Sequence, residues 1–158
     1  MTVRLNRGTT LVDLLQVCFQ LPPDEREQYE AFTGLEYDPE NLATMLYGAP
    51  EPRWTIWVDM APIFIAGFTQ IRPGVLQDWA VTTPQAWDAH WRPVTRIVRG
   101  AMAEMLQTRA HRLQCVSLAS RTLAHRWYEA LGLEREGLLR GYGANGEDAI
   151  MFSRLRSP

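Results

Sequence analysis

Three observations along the chain predict an α/β fold of one domain. Between Trp79 and Gly132 an apolar strand, a long helix, a second apolar strand and a second helix follow one another. That β-α-β-α order gives parallel strands with helices packed on the sheet. Ahead of it, runs such as Trp54 to Asp59 alternate bulky apolar residues with smaller or polar ones, as half-buried strands do. The first fifty residues instead repeat their apolar positions at helical spacing. The chain has 158 residues, 46% hydrophobic and 22% charged. That is enough for one real core, predicted over 1–158, and excludes a disordered polymer.

Thr9-Thr10 is placed to cap a first helix with Leu11, Leu14, Leu15, Cys18 and Phe19 on one face, ended by Leu21-Pro22-Pro23. Pro23 suits the first turn of a second helix, whose positive end favours Asp24, Glu25 and Glu27 and whose stop is Gly34. A third helix is predicted over Pro39 to Tyr47, followed by Gly48 and a proline-marked loop to Pro52. Strands are predicted over Trp54 to Asp59, Pro62 to Gln70 and Val75 to Thr82. After a polar, aromatic crossing comes a helix of about five turns. The strand Leu113 to Leu118 follows, then a helix ending at Leu131-Gly132. Leu138 to Tyr142 and Ala149 to Leu155 flank Gly143 to Glu147, where Asn145-Gly146 is a strong hairpin signal. The predicted order is α-α-(α)-β-β-β-α-β-α-β-β.

Several function classes are set aside by composition. A net charge of -2 without a basic run argues against sequence-independent nucleic-acid binding. No stretch reaches the ~18 to 20 apolar residues of a membrane span. Arg4, Asn6 and Arg7 interrupt the apolar core a signal peptide needs, so a cytosolic origin is the expectation. Cys18 and Cys115 lie in apolar segments and read as buried small hydrophobes. His90, His111 and His125 make no ligand spacing, so no metal site is expected. All sixteen basic residues are arginine, which excludes Schiff-base chemistry and a P-loop lysine.

The run from Ala119 to Leu155, with Tyr128-Glu-Ala-Leu-Gly-Leu133 inside it, resembles the C-terminal half of GNAT-type N-acyltransferases. Leu133 stands where that family's Tyr-x-x-Leu-Gly-Phe signature has Phe. Leu21-Pro-Pro-Asp-Glu-Arg-Glu27, Trp79-Ala-Val-Thr82 and His125-Arg126-Trp127 are similar to a phage-encoded branch known as internal virion or acetyltransferase-like proteins. The resemblance covers most of the chain. It implies a single-domain GNAT-like fold with N-terminal helices and a central mixed, mostly antiparallel sheet, whose C-terminal half runs β-α-β-α-β-β. Together with the turn at Arg92 to Ile97, the phage branch implies a non-catalytic virion or assembly component without a cofactor. Such a component meets other phage or virion proteins, or its own copies, in the host cytoplasm and, where packaged, in the virion. The alternative it implies is an acetyl-CoA-dependent N-acetyltransferase.

Members of that family hold a pyrophosphate on a Gln/Arg-x-x-Gly-x-Gly/Ala turn, where glycines let backbone N–H groups approach and the helix end adds positive charge. Here the turn reads Arg92-Pro-Val-Thr-Arg-Ile97. Pro93 removes an N–H, and Val94 and Thr95 add bulk, so a closed turn is expected. Arg92, Arg96 and Arg99 share a helix face, as a phosphate clamp or as a solvated or partner-facing stripe. The resemblance makes Val81, Thr82, Arg92, Arg96 and Ser120 the candidate cofactor contacts. It makes Tyr128 the general acid for the leaving thiolate, although a tyrosine there also packs well with its hydroxyl exposed. Ser120, where the family commonly has Asn, and Thr122 read as helix caps. Asp59 and Asp78 are the acidic residues offered for deprotonating an amine, but both read as strand-end or outward-facing carboxylates. Trp79, Trp87, His90 and Trp91 could fill the cleft or form a contact surface, with core packing the default for at least two of the three tryptophans.

Overall fold

The computed structural model describes residues 2–157. In chain order its elements are β1 (Val3–Asn6), α1 (Leu11–Cys18), α2 (Pro23–Thr33), α3 (Pro39–Tyr47), β2 (Arg53–Val58), β3 (Ala61–Arg72), β4 (Val75–Thr82), α4 (Pro84–Asp88), α5 (Trp91–Thr108), β5 (Arg112–Leu118), α6 (Thr122–Ala130), β6 (Glu134–Leu139) and β7 (Ala149–Leu155). Local chemistry accounts for the helix ends. Thr10 and Asp13 form a reciprocal capping box on α1. Asp38 accepts from the amides of Glu40 and Asn41 at the start of α3, each at 2.9 Å. Gly34 closes α2 at a φ of 69°, a left-handed value that suits glycine.

Seven strands make one sheet in the order β1-β2-β3-β4-β5-β7-β6. Every neighbouring pair is antiparallel except β4 and β5. Side chains alternate across a strand, so each face needs its own cover. α1 and α3 cover one face, where Leu14, Val17, Leu42 and Leu46 pack on Ile65 and Val81. α5 and α6 cover the other, where Val94, Val98, Met102, Trp127 and Tyr128 pack on Ile56, Phe64, Leu113 and Phe152.

The parallel pair sets up everything that follows. β4 and β5 are joined only at Val75↔Arg112, Leu76↔Leu113 and Gln77↔Gln114. Beyond those residues the strands part, and Asp78 to Thr82 on β4 and Cys115 to Leu118 on β5 have no partner across the gap.

Four sequence expectations need correction. The chain starts with a short strand, β1, which pairs with β2 and precedes the first helix. The aromatic crossing holds a short helix, α4. β6 runs from Glu134 to Leu139 and not from Leu138, so a nine-residue loop (140–148) with Gly141 and Gly146 both at positive φ replaces a tight hairpin. Phe19, expected on the buried face of α1, lies past its last turn and is exposed.

Candidate functional site

A cavity of about 930 Å³ occupies the split between β4 and β5 and is lined from both faces of the sheet. On the α5/α6 side it meets Trp87, Trp91, Trp127 and Tyr128, and on the α2 side Glu25, Gln28, Tyr29 and Trp79. Such a volume suits a small-molecule or cofactor site.

α2 lies across the mouth of the split and touches both strand ends. The Gln28 side-chain oxygen accepts from the Leu118 amide at the end of β5, at 2.9 Å. One turn earlier, Glu25 accepts from the Thr82 hydroxyl at the end of β4. Thr82 in turn accepts from Trp87 Nε1 at 2.8 Å. Arg121, in the turn after β5, pairs with Asp24 at 3.0 Å and lies 3.4 Å from the Tyr128 hydroxyl. Glu25 Oε2 and Trp79 Nε1 are buried in this lining without a hydrogen-bond partner among the described residues.

Asp78 is the first β4 residue past the last β4–β5 pair, so it stands at the root of the split, and it lines the cavity. Burial pushes its carboxyl up to about 7. It is half-buried inside the cleft and not outward-facing, which corrects the sequence expectation. Asp59 does sit in a hairpin turn, at a φ of 52°, where its Oδ1 accepts from the Thr2 amide. Tyr128 reaches the same cavity, and burial raises its pKa above the usual tyrosine value while Arg121 opposes the shift. A phenol in that setting keeps its proton throughout the neutral range.

The aromatic crossing lines the cleft and does not fill it. Trp87 of α4 meets Trp127 of α6 edge to face, with ring centroids 4.9 Å apart, and Phe64 packs on both. Trp127 Nε1 donates to Thr95 on α5 at 2.8 Å, tying the two helices together beside the cavity.

The closed turn expected at Arg92–Arg96 is also revised. Residues 91–94 are the first turn of α5, and Val94 and Thr95 face the core at 0% and 9% exposure. Their branched carbons therefore leave the outer side of the helix start clear. Amides of a first turn have no intrahelical acceptor, so Pro93 withholds one N–H there while those of Trp91 and Arg92 remain. Arg92, Arg96 and Arg99 are exposed, and none takes part in the four ion pairs among the described residues. Arg92 stacks over Trp91 with its guanidinium 5.2 Å from the ring centroid.

Of the candidate contacts, Thr82 and Tyr128 come together at the cavity. Val81 borders it, although its side chain packs with α1 and α3. Arg92 and Arg96 lie outside it on the exposed face of α5, and Ser120 is exposed in the turn after β5. Neither Ser120 nor Thr122 caps α6, because Arg121 holds the cap position and no side chain bonds the free amides. Sequence reading weighed Asp78 as an acid for an incoming amine but placed it facing outward, and it missed Glu25 as a cavity group. The signal available for Asp78 was a lone carboxylate inside an apolar strand, four residues before a strand end. Among the described residues no group of three His, Cys, Asp or Glu side chains is placed to hold a metal ion. No described helix is long and apolar enough to cross a membrane.

The fold, a seven-stranded mixed sheet split at its one parallel pair and covered by helices on both faces, is that of the GNAT acetyltransferases. A GNAT-family acetyltransferase from Bacillus anthracis superposes with a TM-score of 0.72 at 10% identity, over 98% of this chain and 95% of that one. A ribosomal-protein-alanine N-acetyltransferase from Brucella melitensis gives 0.73 at 14%, over 96% and 99%. A phosphinothricin acetyltransferase from Sinorhizobium meliloti, solved in complex with AcCoA, gives 0.70 at 15%, over 99% and 90%. No protein-family model matches the chain, and no curated protein matches it in sequence.

Proposed function

We propose that this protein is an acyl-CoA-dependent N-acyltransferase that works at the split between β4 and β5. The observation that carries the reading is the open cavity through the sheet, with Asp78 and Tyr128 both on its walls. A cleft filled by tryptophan, as a purely structural role would have it, is not what the chain builds. The likeness to acetyltransferase structures, one of them an AcCoA complex, supports the same reading over the phage virion component.

The residues present fit an acyl-CoA. Asp78 to Thr82 pair with β3 but leave their β5 side open, an edge along which an extended arm can lie. At its end the first turn of α5 offers two free amides and the positive end of an 18-residue helix. Arg92, Arg96 and Arg99 stand beside it without acidic partners and supply the charge that missing glycines do not. When bound, an acyl-CoA supplies an activated thioester.

The chain's own groups then divide the proton work. Asp78, poised at about 7, accepts a proton from an incoming ammonium group. Tyr128, held neutral, donates its hydroxyl hydrogen to negative charge forming at sulfur. Trp87, Trp127 and Phe64 keep water away from that point.

Calorimetric titration with acetyl-CoA tests the reading. At 100 times the dissociation constant, binding raises stability by ~2.7 kcal/mol, seen as a higher melting temperature. Arg96→Ala should weaken binding several-fold. A chain that gives neither heat nor a thermal shift with acetyl-CoA returns the virion reading to first place.

A further inference from the structure

We infer that the acyl group this protein transfers is a medium-length alkyl chain, of octanoyl size, whose tail lies in an apolar arm of the cavity between α5 and strands β2 to β4. The inference rests on the transferase reading and names the acyl donor for it.

The cavity does not end at the split. Its lining runs on to Ala66 on β3, Ile56 on β2 and Leu5 on β1, and to Ile97 and Ala101 of α5. Leu76 packs in the core beneath α5, so Asp78 and Ala80, two and four residues further along β4, point to that same side. Ala80 pairs with Ala66, and Ala66 pairs with Trp54. The row that leads away from Asp78 and Tyr128 is therefore two alanines and then an indole. Neither alanine is sealed. Ala66 is only half-buried although it stands in a central strand on the helix-covered side, and Ala80 is exposed. On α5, Ile97 and Ala101, one turn apart, are half-buried as well, while Val98 and Met102 beside them go to the core. Trp54 closes the row, set edge to face on Phe68 with ring centroids 5.5 Å apart.

The arm carries no group that a polar substrate could bond. Every charged, hydroxyl or amide side chain of the cavity lining belongs to α2, β4, α6 or the turn after β5, and none to β1, β2, β3 or α5. Apolar space of this kind holds water poorly, and an alkyl chain fills it favourably. Strand spacing sets the length. Neighbouring strands lie about 4.8 Å apart, so the row from Ala80 to Trp54 spans about 10 Å. The seven C–C bonds of an octanoyl chain, at about 1.5 Å each, extend no further than about 11 Å. An acetyl group would stop at the split and leave both alanines bare.

The test titrates acetyl-CoA and octanoyl-CoA calorimetrically into the full chain. Alongside go the S-acetyl and S-octanoyl thioesters of N-acetylcysteamine, which lack the nucleotide. Burial of one methylene tightens binding about fourfold, so three buried methylenes make octanoyl-CoA at least about fiftyfold tighter than acetyl-CoA. Ala66→Leu and, separately, Ala101→Leu fill the arm and should bring octanoyl-CoA down to the level of acetyl-CoA. Equal binding of the two CoA esters to the unaltered chain overturns the inference and leaves the transferase reading standing, and that comparison needs no variant to fold. An octanoyl preference that survives in both folded variants puts the tail elsewhere and overturns it too. Binding of neither CoA ester removes the transferase reading. In that case a tighter S-octanoyl than S-acetyl N-acetylcysteamine ester keeps the apolar arm, and equal or absent binding of both removes it.

Discussion

Asp78 and Tyr128 face one cavity and are shifted the same way by the same cause. Burial penalises the charged form of each, so one acid is held near neutrality and the other is held protonated. For Asp78 this has an effect on stability as well as chemistry. An acid whose pKa is raised by folding binds more protons folded than unfolded, so its ionisation destabilises the fold as pH climbs from about 4 to about 7. Partial exposure screens the ionised form and holds the penalty at pH 8 to roughly 2–3 kcal/mol. Asp78→Asn should therefore raise the melting temperature at pH 8, leave it nearly unchanged at pH 4, and abolish the rise of acetyl transfer through pH 7. A melting curve with the same pH slope in both chains would show that Asp78 titrates as an ordinary surface acid. Tyr128→Phe should cut turnover by about 10² with acetyl-CoA affinity kept, since general acids contribute factors of that order. Tyr128 was legible from its place in a short motif. Asp78 left one mark, a carboxylate inside an apolar strand, and Glu25 on α2 left none, because what brings both to the cavity is the gap beside β4.

At the scale of elements, the two helical layers and the long helix α5 follow from apolar spacing, capping residues and glycine stops, all of which are local. The elements that escaped sequence reading depend on distant partners. β1 is a strand because β2 offers it an edge, and its own residues are mostly exposed. The five residues of α4 are too few to show a helical period, and they hold Trp87 against Trp127. In the sequence, Pro93 and its branched neighbours read as an obstruction of a turn that opens the helix. Once they form a helical turn, their direction reverses, and Val94 becomes core. Close approach between β3 and β4 carries a prediction at this scale. Gly67 pairs with Trp79, and a Cβ on Gly67 would come 2.5 Å from Trp79 Cζ2. Gly67→Ala must displace the indole from its bed on β3. It should cost about 1–3 kcal/mol and shift the tryptophan emission. An unchanged emission spectrum and melting point would mean the indole has room to move that the packing does not reveal.

On the scale of the whole molecule, the sheet is two blocks joined by three paired residues on each of β4 and β5. A split of that kind gives the protein its cavity and also removes ladder hydrogen bonds that a continuous sheet would have. α2 makes up part of the loss by reaching β5 through Gln28 and β4 through Glu25, and Trp127 ties α6 to α5 on the other face. Of these ties, Gln28 is the one whose loss strands a buried backbone group, since Leu118 is 3% exposed and its amide has no other acceptor at hand. Gln28→Ala should cost about 1–2 kcal/mol. For a chain of this size that lowers the melting point by roughly 2–4 °C per kcal/mol. The transition should stay single, because the antiparallel blocks share one core that runs under the split from Phe64 to Phe152. Hydrogen exchange adds the spatial detail. The Leu118 amide should lose protection in Gln28→Ala while those of Leu113 and Cys115, paired with β7, keep theirs. Equal loss along all of β5 would show instead that α2 holds the two blocks together as a whole.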